Sequence, residues 1–221
     1  VNDAPEEKID IREPVLFPMS TVINRKNQGI HITRVNGLRY CKGDYVLFLD
    51  QDDRIEDNYL LSQADNIKGN DFSICGGWLL QQGGNKECIY KNIVHQKFCL
   101  DLDYHYGYSN PIVSPGQVLI KKSIVPAEWK QNFFINNGAD DHYLWLLLLE
   151  QGYRGVINPE NLYTHVSTGN NTSLNIEGMC ASNFELISYL SGLTDSKKLN
   201  LLRRRTLYYN SNPKKLVTKL C

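Results

Sequence analysis

The run Gly43-Asp44-Tyr45-Val46-Leu47-Phe48-Leu49-Asp50-Gln51-Asp52-Asp53 sets the reading of this chain. Its apolar centre, residues 45–49, is continuous rather than alternating, the pattern of a strand buried on both faces in a parallel α/β sheet. Upstream, Ile32, Val35, Leu38 and Cys41 recur at helical spacing, and Gly43 stands where a helix would stop. Downstream, Glu56 and Asp57 open a second helix that runs to Ile67 and is closed by Gly69. The expected unit is helix, strand, helix, with the strand central in its sheet. Three carboxylates in four positions then fall at the carboxyl end of that strand, where open α/β sheets bind ligands. Like charges this close are relieved by a hard divalent cation, which takes oxygen ligands and bridges to a diphosphate. The same residues also read as an acidic turn in which Asp53 caps the next helix. An EF-hand loop fits poorly because Arg54 stands where the next acidic ligand belongs.

Further along, residues 72–80 and 87–93 flank Gln-Gln-Gly-Gly-Asn-Lys and read as a hairpin or two strands joined by a loop. Residues 118–120 form a short strand behind the Ser114-Pro115-Gly116 turn, and Val156-Ile157 another. Residues 141–151 are helical, apolar almost all round and therefore deeply buried, with Gly152 as terminator. Asp140-Asp141 opens that helix. A carboxylate there is stabilised in its ionised form by the helix N-terminus, which suits a base, although ordinary capping uses the same residues. From Leu174 onward the pattern is helical.

The length, 221 residues, fits one domain or one domain with an appendage, and 42% hydrophobic with 22% charged residues describes a folded globular chain. The longest apolar run, residues 143–149, is too short to cross a bilayer. Lys+Arg and Asp+Glu are both 24, which excludes a generally basic surface for nucleic acid. The balance is uneven, however. From Leu193 to Cys221 eight basic residues face Asp195 alone, so the tail is +7 and the remaining body −7, an asymmetry that suggests an anionic partner for the tail. Six cysteines, with no CxxC pair and no zinc spacing, read as the reduced thiols of a cytosolic protein.

Together these segments resemble the GT-A-fold glycosyltransferases of family 2 over nearly all of residues 1–173. Val1-Asn2-Asp3-Ala4 is similar to the family's Asp-bearing loop, and Asn27-Gln28-Gly29 with Arg34-Val35-Asn36-Gly37 is similar to its Asn-x-Gly and Arg-Asn-x-Gly. Gly43 to Asp53 matches Gly-(Glu/Asp)-Tyr-x-x-Phe-Leu-Asp-x-Asp-Asp almost letter for letter, and Asp140-Asp141 followed by an apolar helix and Gly152-Tyr153 resembles the Glu-Asp pair. Val35 replaces the usual Asn and Asp140 the common Glu; Tyr163-Thr164-His165 and residues 169–173 match the family's ending in part. The family opens with a strand, a turn and a helix that do not precede Asp3 here, so the resemblance implies an N-terminally incomplete catalytic domain at 1–173, with a helical, basic extension at 174–221.

The resemblance implies an α/β, GT-A-type nucleotide-diphospho-sugar transferase fold with a mostly parallel central sheet flanked by helices. It implies an inverting transferase of the hexosyl or N-acetylhexosaminyl type that moves a sugar from a UDP-linked donor to a saccharide or lipid-linked acceptor, as in bacterial surface polysaccharide assembly. Asp3, Asn27, Arg34 and Asp50 fall on the donor side. Asp52 is the ligand of Mn²⁺ or Mg²⁺, with His165 a further candidate, and Asp141 is the catalytic base. On the acceptor side stand Asp140, Gln117 and the aromatic faces of Tyr106 and Tyr108, which alternate with Tyr104 in a strand or loop. Rival readings are a haloacid-dehalogenase-like phosphatase built on Phe48-Leu49-Asp50-Gln51-Asp52, and a non-catalytic nucleotide-sugar-binding subunit. For the tail, Leu199, Leu202 and Tyr209 with flanking Lys198, Arg204 and Arg205 suggest peripheral attachment to the anionic inner face of a membrane; docking on the acidic body is the alternative.

Overall fold

The computed structural model describes residues 1–7, 19–169 and 171–212. Six strands form one sheet: β1 (Tyr45–Val46), β2 (Arg54–Ile55), β3 (Phe72–Leu80), β4 (Lys86–Cys88), β5 (Val118–Lys121) and β6 (Gly155–Val166). The order is β1-β5-β3-β6-β2, with β4 also on β3. The α/β class holds, but the sheet is mixed rather than mostly parallel: β3 and β6 run parallel, and the other strand pairs are antiparallel. The connections explain this. A tight turn at residues 81–85 joins β3 to β4, and so short a link can join only antiparallel neighbours.

The centre of the sheet is also not where the apolar run suggests. Only Tyr45–Val46 of that run is strand, and it lies at one end of the order. Val46 and Phe48 are buried while Tyr45 and Leu49 are 41% and 42% exposed. A strand paired on one side sends alternate residues outward, apolar or not. The central place belongs to β3, whose Phe72, Ile74 and Cys75 are fully enclosed.

Helices α1 (Ile30–Tyr40), α2 (Tyr59–Asn66), α3 (Ile93–Lys97), α4 (Leu102–Gly107), α5 (Ala127–Gln131) and α6 (Asp140–Glu150) pack around the sheet. Gly69 and Gly152 follow α2 and α6 with φ of 78° and 76°, the left-handed conformation that glycine adopts without cost. On α6 every residue from Tyr143 to Leu148 is buried, as its unbroken apolar run requires. Residues 87–93 give a shorter strand than expected, because the Asn92 side chain accepts from the His95 amide and starts α3 at Ile93. The alternating tyrosines at 104–108 are helical for the same reason: Asp101 caps the Tyr104 amide and opens α4.

Strand β6 is much longer than Val156-Ile157. It continues through Asn158-Pro159-Glu160-Asn161, and the sheet absorbs the proline by register shifts opposite Gly76 and Gly77. A Cβ on Gly77 would lie 2.6 Å from the Tyr163 carbonyl oxygen, which is backbone and cannot swing aside. Gly77→Ala is therefore expected to destabilise the fold by about 1–3 kcal/mol, read from urea denaturation. The control is Gly43→Ala, where the nearest atom is 3.6 Å away. Equal midpoints for the two variants would show that the strands part easily.

The C-terminal helices α7 (Ile176–Leu190) and α8 (Ser196–Ser211) are packed on the body. Leu186, Ile187, Leu190 and Leu202 belong to the same core cluster as Ile74 and Trp145. The α8 face expected to meet a membrane is thus turned inward: Leu202 is fully buried, Leu199 packs against the core, and Lys198 pairs with Glu150 at 3.4 Å. Lys214, Lys215 and Lys219 lie outside the described residues, as does Cys221; the other five cysteines are free. No helix among the described residues is long and apolar enough to cross a membrane.

Candidate active site

The site is assembled at the N-terminal ends of α1 and α6 and at the turn after β1. Helix α1 begins after Gly29, whose φ is 86°. Its entry loop is held by Asp3, whose carboxylate accepts from the amides of Gln28 and Gly29, each at 2.9 Å, and from Asn24 Nδ2 at 2.7 Å. Asn27 is exposed and its side chain accepts weakly from Gly29 N at 3.2 Å. Asn137, from the loop before α6, accepts from Ile30 N at 3.1 Å. The unsatisfied amides of a helix start are thereby used to tie three distant segments together.

Arg34 makes the central connection. Its Nη2 reaches Asp50 Oδ1 at 2.7 Å and its Nη1 reaches Asp140 Oδ2 at 2.8 Å. One guanidinium thus joins the acidic turn after β1 to the first residue of α6, a geometry that its planar fork permits and a lysine would not. Burial opposes the charge on Arg34, but the charges of Asp140 and Asp50 outweigh it and hold the group firmly protonated. The Asp140 side chain is 3% exposed and that of Asp50 is 43% exposed. Asp140 is accordingly an anchor for Arg34, and its backbone oxygen also accepts from Trp129 Nε1 at 2.8 Å.

Beside it, Asp141 accepts from Asn110 Nδ2 at 3.2 Å and from the His142 amide at 2.6 Å. Burial and the neighbouring Asp140 charge push its pKa up to about 7, against the opposing pull of Arg34 and the His142 amide. That value suits a group that must take a proton near neutrality. The loop leading to it is fixed from α7: Glu185 accepts from the amides of Ile135 and Asn136, and Ser182 Oγ accepts from Ala139 N at 2.9 Å.

Asp52 and Asp53, adjacent in sequence, have different surroundings. Asp53 is buried and accepts from Tyr163 Oη, Ser114 Oγ, Val166 N and His165 Nδ1, the last at 3.0 Å. Burial disfavours its charge, yet the hydrogen bonds from His165 and Tyr163 keep its pKa below the ordinary value. Asp53 thus locks the end of β6 under the acidic turn instead of capping a helix. Burial also disfavours charge on His165, but the bond and charge of Asp53 and the charges of Asp52 and Asp50 raise its pKa overall. Asp52 is half-buried and has no hydrogen-bond partner among the described residues. A histidine whose Nδ1 is fixed by a carboxylate leaves Nε2 available as a ligand. Asp52 and His165 are thus the side chains that would hold a divalent cation here, and its other ligands would have to come from outside the protein. No three His, Cys, Asp or Glu side chains are grouped to hold one alone among the described residues.

The other acceptor-side candidates differ in what their side chains meet. Gln117 is fully buried; its oxygen accepts from Val113 N and Ser114 N, and its nitrogen donates to Cys75 O and Tyr90 Oη, which leaves nothing for a ligand. Tyr106 is buried with its hydroxyl on Thr194. Tyr108 is exposed and stacks on Tyr104. Sequence reasoning missed Asn110 and Glu185. Asn110-Pro111 is a turn signal, but nothing local says that its side chain meets Asp141.

The fold has counterparts. Two solved structures of S. aureus TarS residues 1–349, one in complex with UDP-GlcNAc, match with TM-scores of 0.57 and 0.51 at 17% and 20% identity. They cover 82% and 81% of this chain, which spans about half of each, 53% and 51%; at such identity the likeness is one of fold. An uncharacterized glycosyltransferase of Haemophilus influenzae is 40% identical over 53 residues, 24% of this chain and 18% of that protein. The family model for glycosyl transferase family 2 matches residues 7–127, more than half of the sequence and a span that includes Arg34 and the whole acidic turn, and the chain belongs to that family.

Proposed function

We propose that this chain is an inverting glycosyltransferase that moves a sugar, of the hexosyl or N-acetylhexosaminyl class, from a UDP-linked donor to a hydroxyl of a saccharide or lipid-linked acceptor. The observation that carries this reading is the Arg34 bridge, which brings the acidic turn of Asp50 and Asp52 up to the helix start that holds Asp141. The UDP-GlcNAc bound by TarS, a protein of the same fold, supports a uridine donor. In the reaction the acceptor oxygen bonds to the anomeric carbon as the bond to the diphosphate breaks, and the acceptor proton passes to Asp141. A carboxylate suffices as base because that proton becomes acidic only as bonding to an oxocarbenium-like centre develops. Mn²⁺ or Mg²⁺ held by Asp52 and His165 would supply neutralising charge for the departing diphosphate. Asn110 aims the Asp141 carboxylate, and Glu185 with Ser182 keeps its loop in place. The phosphatase alternative needs Asp50 as a free nucleophile, and Arg34 holds that carboxylate instead.

The test is Asp52→Asn. Because Asp52 has no hydrogen-bond partner among the described residues, the variant is expected to melt at the wild-type temperature while losing the Mn²⁺-dependent part of UDP-sugar binding. A thermal-shift panel of nucleotide sugars with and without Mn²⁺ reads both. Wild-type metal dependence in the folded variant would remove Asp52 from the ligand set, and no response to any nucleotide sugar in the unaltered chain would overturn the transferase reading.

A further inference from the structure

Helix α8 and the end of α4 border an open surface depression of about 290 Å³ whose lining includes Tyr108, Arg204, Arg205 and Tyr208. None of these lies among the side chains assigned to the donor or to the base. Arg205 is half-buried, and its Nη1 donates to the His105 carbonyl at 2.6 Å. No carboxylate among the described residues forms an ion pair with it or with Arg204. The buried imidazoles nearby, His105 and His142, are held neutral by desolvation and bring no negative charge. Burial, opposed only in part by Tyr209, pushes the Arg205 pKa down to about 10. Among the described residues the guanidinium has a carbonyl oxygen beside it but no carboxylate, whereas partly buried charges are ordinarily paired. Arg204 sets a second, exposed guanidinium in the same lining.

The lining from α4 has a different chemistry. Phe98 stacks on Tyr104 at 4.5 Å and 13°, and Tyr104 on Tyr108 at 5.1 Å and 22°. This ladder ends at Tyr108, which is 62% exposed and lines the depression. Its ring is braced from behind and offers a flat apolar face at little cost in side-chain freedom. The volume lies at the lower edge of small-molecule sites, which run from about 300 to 1,000 Å³, room for one small headgroup and not for a nucleotide sugar.

We propose that this depression binds a phosphate ester of a sugar or polyol, with the phosphate on Arg204 and Arg205 and the carbon skeleton against Tyr108. Two arginines match phosphate oxygens in a bidentate manner. The ligand is either a soluble phosphate ester or the headgroup of a phospholipid, and binding needs no donor sugar.

Titration calorimetry of the full chain with glycerol 1-phosphate tests the soluble source, and co-sedimentation with phosphatidylglycerol vesicles against phosphatidylcholine vesicles tests the lipid. Arg204→Gln and Tyr108→Ala carry the comparison, because both side chains are exposed and neither variant removes the Arg205 bond that joins α8 to α4; thermal melts confirm that they fold. Saturable binding of glycerol 1-phosphate, weakened tenfold or more by each variant, supports a soluble ester. Binding confined to phosphatidylglycerol vesicles and weakened by the same variants supports the headgroup. Binding in neither arm, or binding that folded variants leave unchanged, overturns the proposal.

Discussion

Asp141→Asn is expected to lower sugar transfer by about 10²- to 10⁴-fold, the usual worth of a positioned general base, while donor affinity stays at the wild-type value. The amide is nearly isosteric with the carboxylate and keeps one oxygen for the His142 amide, while its NH2 takes the place of the oxygen that accepts from Asn110 and is met by turning the Asn110 amide over. What it loses is the capacity to take a proton. Single-turnover transfer and donor titration, measured on the same preparation, separate the two effects. Equal losses in both would make Asp141 a donor ligand or a structural cap.

The same substitution has an opposite effect on stability, and its sign follows from the raised pKa. An unfolded aspartate releases its proton near pH 4, whereas folded Asp141 retains it up to about pH 7. Between those values the native state binds more protons than the unfolded state, so stability falls as pH rises through the window. Above pH 7 the full cost of a desolvated carboxylate beside Asp140 is present, and Asp141→Asn removes it. The variant is therefore expected to melt higher than wild type at pH 8, by a margin that shrinks toward pH 5. The activity of the unaltered chain should rise over the same range as the base form fills.

Much of the fold could be read because its signals are local. Gly69 and Gly152 mark two helix ends, the all-round apolar run of α6 demands burial, and the Gly-Gly-Asn turn announces the β3–β4 hairpin. Strand position is not local. The Tyr45-to-Leu49 run has the composition of a central strand, yet its place in the sheet depends on β5 and β3, which come later in the chain. Strand β6 was hidden by Asn158-Pro159, a breaker on its own that becomes tolerable only opposite Gly76 and Gly77. The site divides the same way. Asp50, Asp52, Asp141 and Arg34 stand out by residue type and motif, but the bond from Arg34 to Asp140 spans 106 positions and that from Asn110 to Asp141 spans 31. Gln117 shows the converse: a polar residue in a suggestive loop whose every hydrogen-bonding atom is used to brace that loop.

Arg34→Met is expected to destabilise the fold by about 3–5 kcal/mol, the cost of leaving one member of a buried ion pair without its partner, and to weaken donor binding with it. The cost arises on one side of the bridge. Asp50 is 43% exposed and can recover water when the guanidinium is gone, whereas Asp140, at 3%, cannot. Adding Asp140→Asn to the Met variant should therefore restore most of the lost stability, and adding Asp50→Asn should restore little. Arg34→Lys should fall between, because an ammonium keeps the charge but not the fork that reaches both carboxylates. Urea denaturation of the four variants gives the comparison. Rescue by the Asp50 change in preference to the Asp140 change would show that the strain lies in the acidic turn and not at the helix start. The catalytic readout follows from the same geometry: Arg34 is the positive charge that holds down the pKa of Asp141, so residual activity in the Lys variant should keep its pH midpoint near wild type, whereas activity surviving in the Met/Asn pair should respond only to the balance between the two lost charges. A midpoint displaced well to the alkaline side in the Arg34→Met single variant, and brought back by Asp140→Asn, would tie the stability of this bridge directly to the basicity of the residue beside it.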